Sequence, residues 1–339
     1  MGFVHLVSPR TRAFATLAAV GLLVLTAALL AGAILGSQQL LLDRSRAEKA
    51  FEARSMAWNV VGALLTALQQ TWNADEQTLD TWWTQHSQGF PDGTELISLS
   101  SRVNLNSMTP FLLQDSELNA TLLAKSVEDF TTYRANKGPF ARIEDYKDYF
   151  QPGALNTLYC VQSFFNVNTA DEIMLEKILA ARTGNESLAS TIRGRLREYR
   201  SNRQVLAQSD WDTLIGAEKE AVGDLLTIEP ELDVNTASVA VLQALLRDPD
   251  WKLDQRDAKL QVIVTNRVSK PWTDDTLRQA LGVDKSSLLL QYLGTRCRFL
   301  QGRVPEGPSV MTFVAIVSYS TDSPPKITPR ILETRWTTS

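Results

Sequence analysis

The 339-residue sequence contains only two histidines and two cysteines, and this scarcity excludes several kinds of site. His5 and His86 are too few for a histidine-rich metal site, and a Ser-His-Asp triad would have a single plausible base. Cys160 and Cys297 are too distant for a metal motif, whose ligands stand about two to four residues apart. They are compatible with a disulfide in an oxidising compartment, or with two buried free thiols.

The sequence also lacks an excess of positive charge and the common catalytic motifs. Its formal net charge is -4, which gives no general attraction to polyanions and argues against a nucleic-acid surface. No nucleophile elbow, phosphate-binding loop or metal-ligand motif occurs, so we assign no catalytic and no cofactor-binding residue. Because 44% of the residues are hydrophobic and 21% charged, the chain can bury a sizeable core. We therefore expect a folded, non-enzymatic protein with protein partners.

One long apolar run stands near the amino terminus. The 23 residues AFATLAAVGLLVLTAALLAGAIL, 13–35, carry no charge, and at about 1.5 Å per residue a helix of this length would span a bilayer. The apolar region of a cleaved secretory signal would be shorter, about 7 to 15 residues. Arg10 and Arg12 precede the run, which predicts a cytoplasmic amino end and an external carboxyl-terminal domain. The run thus predicts a single-pass membrane protein.

Helix-forming residues continue beyond the apolar run. The segment QQLLLDRSRAEKAFEARSMAWNVVGALLTALQQ contains no Gly or Pro before Gly62, and its apolar residues recur at helical spacing. We therefore expect one helix of roughly fifty residues, half in lipid and half outside.

The following part of the chain repeats one opening. The stretch NVNTADEIMLEKIL begins at residue 166, DVNTASVAVLQALL begins at residue 233, and a weaker copy, RVNLNSMTPFLL, surrounds residue 104. Asn and Thr side chains can accept hydrogen bonds from the free amides of a first helical turn, so these openings predict helix caps, in particular at Asn168 with Thr169 and at Asn235 with Thr236. The polar residues of the predicted cap motifs are Asn104, Asn106, Asn166, Asn168, Thr169, Asp233, Asn235 and Thr236.

Each opening starts a longer helical unit, and units recur every sixty to seventy residues. A second helix ended by a Pro or Trp step predicts a compact helical hairpin, similar to helix-hairpin-helix (SAM-like) domains. In DNA-binding hairpins of this kind, backbone amides of a Gly-rich turn reach phosphate. The matching hairpin here, LLRDPDWKLDQRD, has no Gly and four Asp residues, which predicts protein packing. Residues Arg134, Lys137, Pro139 and Phe140 of the first unit stand where Arg267, Lys270, Pro271 and Trp272 stand in the last.

Segments with strand character bracket the helical units. TELISLSSRVNL, RCRFLQGRV, SVMTFVAIVSYS and PRILETRWT are rich in β-branched and aromatic residues and are separated by Gly and Pro turns. The predicted fold class is therefore α+β: a long amino-terminal transmembrane and stalk helix, a small antiparallel sheet, and a large inserted helical domain of repeated units.

This order of elements resembles the K-type minor pseudopilins of the type II secretion system. The stretch RTRAFATLAAV resembles a prepilin-peptidase site, with Ala13 before the cut and Phe14 after it. Ala13 departs from the Gly that the family prefers. Most pilins carry Glu at the fifth mature residue, where this chain has Ala18, and loss of that Glu resembles the K-type member.

The resemblance implies five segments. They are a leader, 1–13; a transmembrane and stalk helix, 14–72; a first part of the sheet, 73–103; an inserted helical domain, 104–290, with repeats starting near 104, 166 and 233; and carboxyl-terminal strands, 291–339. It also implies a subunit of the bacterial inner membrane with a periplasmic carboxyl-terminal domain. Family members are described as binding calcium near the sheet, and Asp92, Glu95 and Asp322 lie in the matching region without a ligand spacing that would assign them.

The implied function is structural. A minor pseudopilin at the tip of the pseudopilus assembles with the I- and J-type minor pseudopilins and the major pseudopilin, contacts the inner-membrane secretion platform, is processed by prepilin peptidase, and supports export of folded proteins across the outer membrane. A second hypothesis is a membrane-anchored helix-hairpin-helix protein of DNA uptake, competence or type IV pilus assembly. It would need basic hairpins with Gly, and the sequence supplies acidic ones. An anchored envelope enzyme is a third hypothesis, without a motif to support it.

Overall fold

The computed structural model describes residues 9–123, 126–140, 142–162, 165–201, 205, 207–216, 222, 226–307, 309–320 and 325–338; within these, the side chains of 9–21, 24, 27, 33, 34, 208, 250 and 338 are not described. The chain divides into two units, residues 1–59 and 60–339. Its class is α+β, with helices throughout and one four-stranded antiparallel sheet.

The first element is a single long helix, α1, Pro9–Thr71. Pro9 suits the start of a helix, where a missing amide hydrogen costs nothing, and the rest of α1 contains no proline. Along α1, seven charged residues fall between 43 and 54. The long helix was predicted from helix-forming residues and helical spacing, and it is present.

The membrane prediction is wrong. Within the part of the chain that the structure describes, no helix combines the length and the apolarity needed to cross a bilayer. This finding overturns the predicted transmembrane helix and the predicted single-pass location in a bacterial inner membrane. The predicted cleavage pair, Ala13 and Phe14, and Ala18 lie in the helical backbone of α1, and their side chains are outside the described ones. Residues 1–8 of the predicted leader also lie outside the described residues.

The sheet combines one strand before the helical insertion with three strands after it. Strand β1, Glu95–Ser98, pairs antiparallel with Phe299–Glu306, which pairs with Ser309–Tyr319, which in turn pairs with Ile327–Thr338. In the strand Ser309–Tyr319, Phe313, Ala315 and Val317 are buried and the residues between them half-buried, which is the alternation expected of a strand with one face on the core. A Cβ on Gly302 would lie 2.1 Å from the Phe313 ring, so only glycine fits there.

Twelve helices occur among the described residues. After α1 come α2, Leu79–His86; α3, Ser116–Asn119; α4, Val127–Lys137; α5, Pro152–Leu158; α6, Glu172–Thr183; α7, Glu186–Ser201; α8, Gln208–Ile215; α9, Val239–Arg247; α10, Arg256–Asn266; α11, Asp274–Leu281; and α12, Leu289–Tyr292. Short 3-10 helices cover Ser87–Gly89, Leu99–Ser101, Pro110–Gln114, Ile143–Tyr146 and Pro249–Trp251.

The helical insertion consists of three repeats, and each is closed by a pair of two-residue parallel strands. The pairs are β2, Val103–Asn104, with β3, Tyr159–Cys160; β4, Phe165–Asn166, with β5, Leu226–Thr227; and β6, Leu232–Asp233, with β7, Leu293–Gly294. We therefore define the first repeat as 103–160, the second as 165–227 and the third as 232–294. The sheet resumes with β8, Phe299–Glu306, then β9, Ser309–Tyr319, and β10, Ile327–Thr338.

The repeats do not have equivalent cores. Buried residues of the first repeat, such as Leu113 and Phe130, share one hydrophobic core with residues of the third, such as Leu245 and Ile263. The second repeat has a separate core around Leu179 and its neighbours. Full burial of one such aliphatic side chain contributes about 1.5–3 kcal/mol, so the shared core ties the first and third repeats together.

Candidate functional site: repeated turns and the junction with the sheet

Each repeat opens with the same turn. The second residue of the opening strand uses its side-chain oxygen to accept a hydrogen bond from the backbone amide two residues later, which is the geometry of an Asx turn. The bonds are Asn106 N to Asn104 Oδ1 at 3.2 Å, Asn168 N to Asn166 Oδ1 at 2.8 Å, and Asn235 N to Asp233 Oδ1 at 2.9 Å.

In the first and third repeats, the asparagine two residues after the turn residue binds the chain at the end of the hairpin. Asn106 donates to the carbonyl oxygen of Phe140 at 2.8 Å and accepts from its amide at 3.1 Å. Asn235 makes the same two bonds with Trp272, at 3.2 and 2.7 Å. The alignment of the repeats in the sequence places Phe140 opposite Trp272. In the structure, both residues bond to the equivalent asparagine of their own repeat.

An arginine holds the opening turn of each repeat. Its guanidinium donates to the two carbonyl oxygens that lie one and four residues after the first turn residue, and so satisfies acceptors that the short strands leave unpaired. The bonds are from Arg134 to Leu105 O (3.0 Å) and Met108 O (2.6 Å), from Arg200 to Val167 O (3.0 Å) and Ala170 O (2.8 Å), and from Arg267 to Val234 O (2.9 Å) and Ala237 O (2.6 Å).

Sequence reasoning aligned Arg134 with Arg267 but missed their role and missed Arg200. The signal was present as spacing: Arg200 and Arg267 each follow the first turn residue by 34 positions, and Arg134 follows it by 30. Burial lowers the pKa of Arg134, while the nearby carboxylate of Asp171, 3.0 Å away, opposes the shift.

The predicted caps at Asn168 with Thr169 and at Asn235 with Thr236 are wrong. The cap of α6 is Asp171, whose Oδ1 accepts from the amides of Ile173 and Met174 at 3.0 and 3.1 Å. Asn168 donates its amide to Asn166 Oδ1 in the preceding turn, and the cap falls two or three residues after the predicted pair.

The third and first repeats also depart from the predicted capping. In the third, Ser238 caps α9 through a bond from the Val241 amide at 3.2 Å, while Thr236 donates to Asp233 Oδ2 at 3.1 Å. In the first repeat, the opening leads into the 3-10 helix Pro110–Gln114, which has no side-chain cap bond.

Glu231 connects all three repeats. It immediately precedes β6 of the third repeat, accepts a bond from Ser107 Oγ of the first at 2.6 Å, and accepts one from the Asn166 amide of the second at 2.9 Å. Burial of the carboxylate raises the pKa of Glu231 to about 7, against the lowering effect of these hydrogen bonds. Asn166 Nδ2 adds a bond to Gln291 O at 2.8 Å, which again ties the second repeat to the third.

A cationic and aromatic cluster lies where the insertion returns to the sheet. Arg296 donates twice to Asp75 Oδ1, at 2.8 and 3.1 Å, and Arg298 pairs with Glu229 at 2.7 Å. Both guanidinium groups lie over the ring of Tyr319, with carbon-to-centroid distances of 5.2 and 4.7 Å. The segment after α1, the link between the second and third repeats, and the sheet therefore meet through one set of charged contacts.

Both cysteines are buried free thiols, so the structure has the second of the two arrangements that the sequence allowed and no disulfide joins Cys160 to Cys297. Cys297 accepts a bond from Ser98 Oγ at 3.2 Å, whereas Cys160 lies near Leu99 O at 3.8 Å. Burial raises the pKa of both thiols to about 12. Each thiol therefore stays protonated and acts as a small packed side chain.

The acidic residues considered for calcium do not form a site among the described residues. Glu95 forms an ion pair with Arg303 at 3.7 Å, Asp92 is exposed, and Asp322 lies outside the described residues. Across the described ranges, no group of three or more acidic, histidine or cysteine side chains could hold a metal ion. His86 instead stacks on Trp82, with ring centroids 4.6 Å apart.

A cleft of about 770 Å³ lies between the second and third repeats. Several charged groups on its wall already have partners in the protein, since Arg298 pairs with Glu229 and Arg278 contacts Asp275 at 3.4 Å. These charged groups of the cleft therefore serve contacts within the protein, as do the polar side chains of the repeated turns.

In the acidic hairpin of the third repeat, LLRDPDWKLDQRD, polar side chains also bond to other residues of the hairpin. Trp251 Nε1 donates to Leu245 O at 2.7 Å, Arg256 donates to Arg247 O at 2.7 Å, and Arg247 pairs with Asp257 at 3.2 Å. These contacts support the packing role that its composition predicted. No protein-family model matches the chain, and no curated protein matches its sequence.

Proposed function

We propose that the chain is a K-type minor pseudopilin of a type II secretion system. It acts as a structural subunit at the tip of the pseudopilus, joins the I- and J-type minor pseudopilins to the major pseudopilin, and supports export of folded proteins across the outer membrane. Its action comes from assembly, because its polar positions are used to hold repeats together.

The observation that carries the proposal is the exposed apolar surface of α1. Nine leucines in the unit 1–59 are between 54% and 71% exposed: Leu22, Leu23, Leu25, Leu29, Leu30, Leu35, Leu40, Leu41 and Leu42. A run of large apolar side chains on a helix is normally covered by other elements. We expect the helices of partner pseudopilins to cover it, since packing of long apolar helices is how subunits of this kind are joined.

The order of the remaining elements supports the same proposal. A small antiparallel sheet receives a helical insertion of three repeats between its first and second strands in the chain, β1 and β8. This is the arrangement that the resemblance implies for the K-type subunit. The insertion supplies a large folded surface for contact with the smaller minor pseudopilins.

The rival DNA-uptake hypothesis finds little support in the basic residues of the second repeat. Helix α7 is arginine-rich, but Arg193 pairs with Glu176, Arg197 pairs with Glu172, and Arg200 holds the opening turn. Phosphate binding needs cations that are free to meet the backbone of a nucleic acid. Paired arginines are poorly suited to that task.

Co-assembly of purified proteins tests the proposal. The full chain is mixed with I- and J-type pseudopilins in a nonionic detergent, which limits non-specific association of exposed leucines, and complexes are sized by chromatography with light scattering. We expect a ternary complex with the unaltered chain and its loss with the double variant Leu25→Gln and Leu29→Gln. The control is Val268→Gln, which replaces an 85% exposed apolar residue of the insertion and should leave assembly unchanged.

Two results would contradict the proposal. One is the absence of any complex between the unaltered chain and the two minor pseudopilins. The other is salt-dependent binding of duplex DNA by the unaltered chain, which is the result expected of the rival hypothesis.

A further inference from the structure

The third repeat carries an acid where the other two carry an amide. The turn-forming residue is Asn104 in the first repeat and Asn166 in the second, but Asp233 in the third. All three accept the same backbone hydrogen bond, so the turn itself does not require a charge. The chain therefore contains two internal examples of a neutral side chain in this position.

Asp233 is buried and only 2% exposed. Its carboxylate accepts bonds from the Asn235 amide and from Thr236 Oγ1, at 2.9 and 3.1 Å. Among the described residues, no cation forms an ion pair with it: Arg267, whose charge lowers its pKa, donates to backbone carbonyls instead. A buried carboxylate without a paired cation is costly when ionised.

Other titratable groups surround Asp233. Asp80 of α2 raises its pKa and Arg267 at the end of α10 lowers it, while Asp233 in turn raises the pKa of the Cys297 thiol and of the Tyr319 hydroxyl. Burial is the largest influence and raises the pKa of Asp233 to about 6. The group is therefore surrounded on one side by the third repeat and on the other by residues of the sheet region.

Asp233 lies at the contact between the third repeat and the sheet, so its charge state affects that contact. Its strand, β6, lies against the 3-10 helix Leu99–Ser101 that follows β1. The next turn residue, Asn235, donates to Thr295 O at 2.8 Å, just before the chain re-enters the sheet. A change at Asp233 thus acts directly on the junction between the third repeat and the sheet.

We propose that Asp233 makes the junction between the third repeat and the sheet sensitive to pH. A neutral Asp233 behaves like Asn104 and Asn166 and holds the junction closed, whereas its ionisation weakens the junction. This inference goes beyond the proposed function and does not depend on it.

The direction of the effect follows from the raised pKa. Because protonated Asp233 is favoured in the folded state, its contribution to stability is complete below the usual aspartate pKa of 3.8 and is lost as the pH rises through about 6. The loss corresponds to roughly a tenfold to hundredfold decrease in the folding equilibrium constant.

The variant Asp233→Asn tests the proposal in the full chain. Thermal melting is followed between about pH 3 and pH 8 for the unaltered protein, for Asp233→Asn and for Asp254→Asn, a control that replaces an exposed acid of the same repeat. We expect Asp233→Asn to melt close to the unaltered protein near pH 3 and above it near pH 8. The control should track the unaltered protein at every pH. A difference for Asp233→Asn that does not change with pH would overturn the proposal.

A direct titration covers the case in which the variant fails to fold. The unaltered chain is labelled with ¹³C at the aspartate carboxyl groups, and its carboxyl shifts are recorded over the same pH range. An aspartate that titrates near pH 6 is expected. If every aspartate of the folded protein titrates at or below about pH 4, the proposal is wrong.

Discussion

Single arginines have a large effect on this fold because each one satisfies several buried acceptors. Arg134 is buried, and it serves Leu105 O, Met108 O and the carboxylate of Asp171. Removing it takes this donor from two carbonyl groups and the ion-pair partner from Asp171 Oδ2. Residues of this kind are more important for stability than the surface ion pairs of α7.

We expect Arg134→Ala to lower the free energy of unfolding by about 3–5 kcal/mol, because it leaves buried polar groups unpaired. Denaturant unfolding of the full chain measures the change. Arg193→Ala is the matched control: it breaks a partly exposed pair with Glu176 and should cost about 0–1 kcal/mol. Equal losses in the two variants would show that Arg134 has no special role in the turn.

The residues of the repeated openings were recognised in the sequence, but their task was misassigned. Asparagine accepts a backbone amide both as a helix cap and in an Asx turn, so residue type alone does not separate the two roles. The separation depends on the backbone between Asn168 and Asp171, which turns once more before α6 begins. The arginine partners were missed because they lie about thirty residues away in sequence.

At the scale of elements, long and periodic segments were predictable and very short ones were not. Helix α1 and the alternation in β9 follow from helical spacing and period-two burial. The paired strands that close each repeat are two residues long, and two residues carry no periodicity. Their pairing depends on contacts between residues about sixty positions apart.

The corrected caps give a prediction at this scale. Ser238→Ala should lower the free energy of unfolding by about 0.5–2 kcal/mol, since it removes the acceptor of the Val241 amide at the start of α9. Urea unfolding of the full chain is the measurement. Ser269→Ala serves as a control, because that exposed hydroxyl bonds only to Asn266 O at the end of α10.

A loss with Ser269→Ala that equals the loss with Ser238→Ala would argue against a capping role for Ser238. The loss of stability would then come from removing any surface hydroxyl of the third repeat, and not from removing a helix cap.

At the scale of the whole molecule, the sequence predicted an α+β protein with a helical insertion between strands, and the structure has this organisation. The transmembrane assignment was wrong because a charge-free run in the sequence was taken as sufficient, whereas no described helix meets both requirements. The sequence could not predict that the first and third repeats share one core. The repeats have similar apolar patterns, and such patterns do not indicate which repeats pack together.

The identity of the subunit stays a proposal that the arrangement of elements supports. Its central claim is that the chain is needed for protein export and acts through the exposed leucines of α1. Stability measurements on the repeats do not address that claim, because a well-folded insertion is compatible with many functions. An export measurement in the source organism addresses it.

The decisive measurement is the amount of a folded substrate protein exported by cells in which the gene has been deleted. We predict that export stops, that the unaltered chain and Val268→Gln restore it, and that the double variant Leu25→Gln and Leu29→Gln does not, although it is produced at the same level. Normal export from the deletion strain, or full restoration by the double variant, would contradict the account.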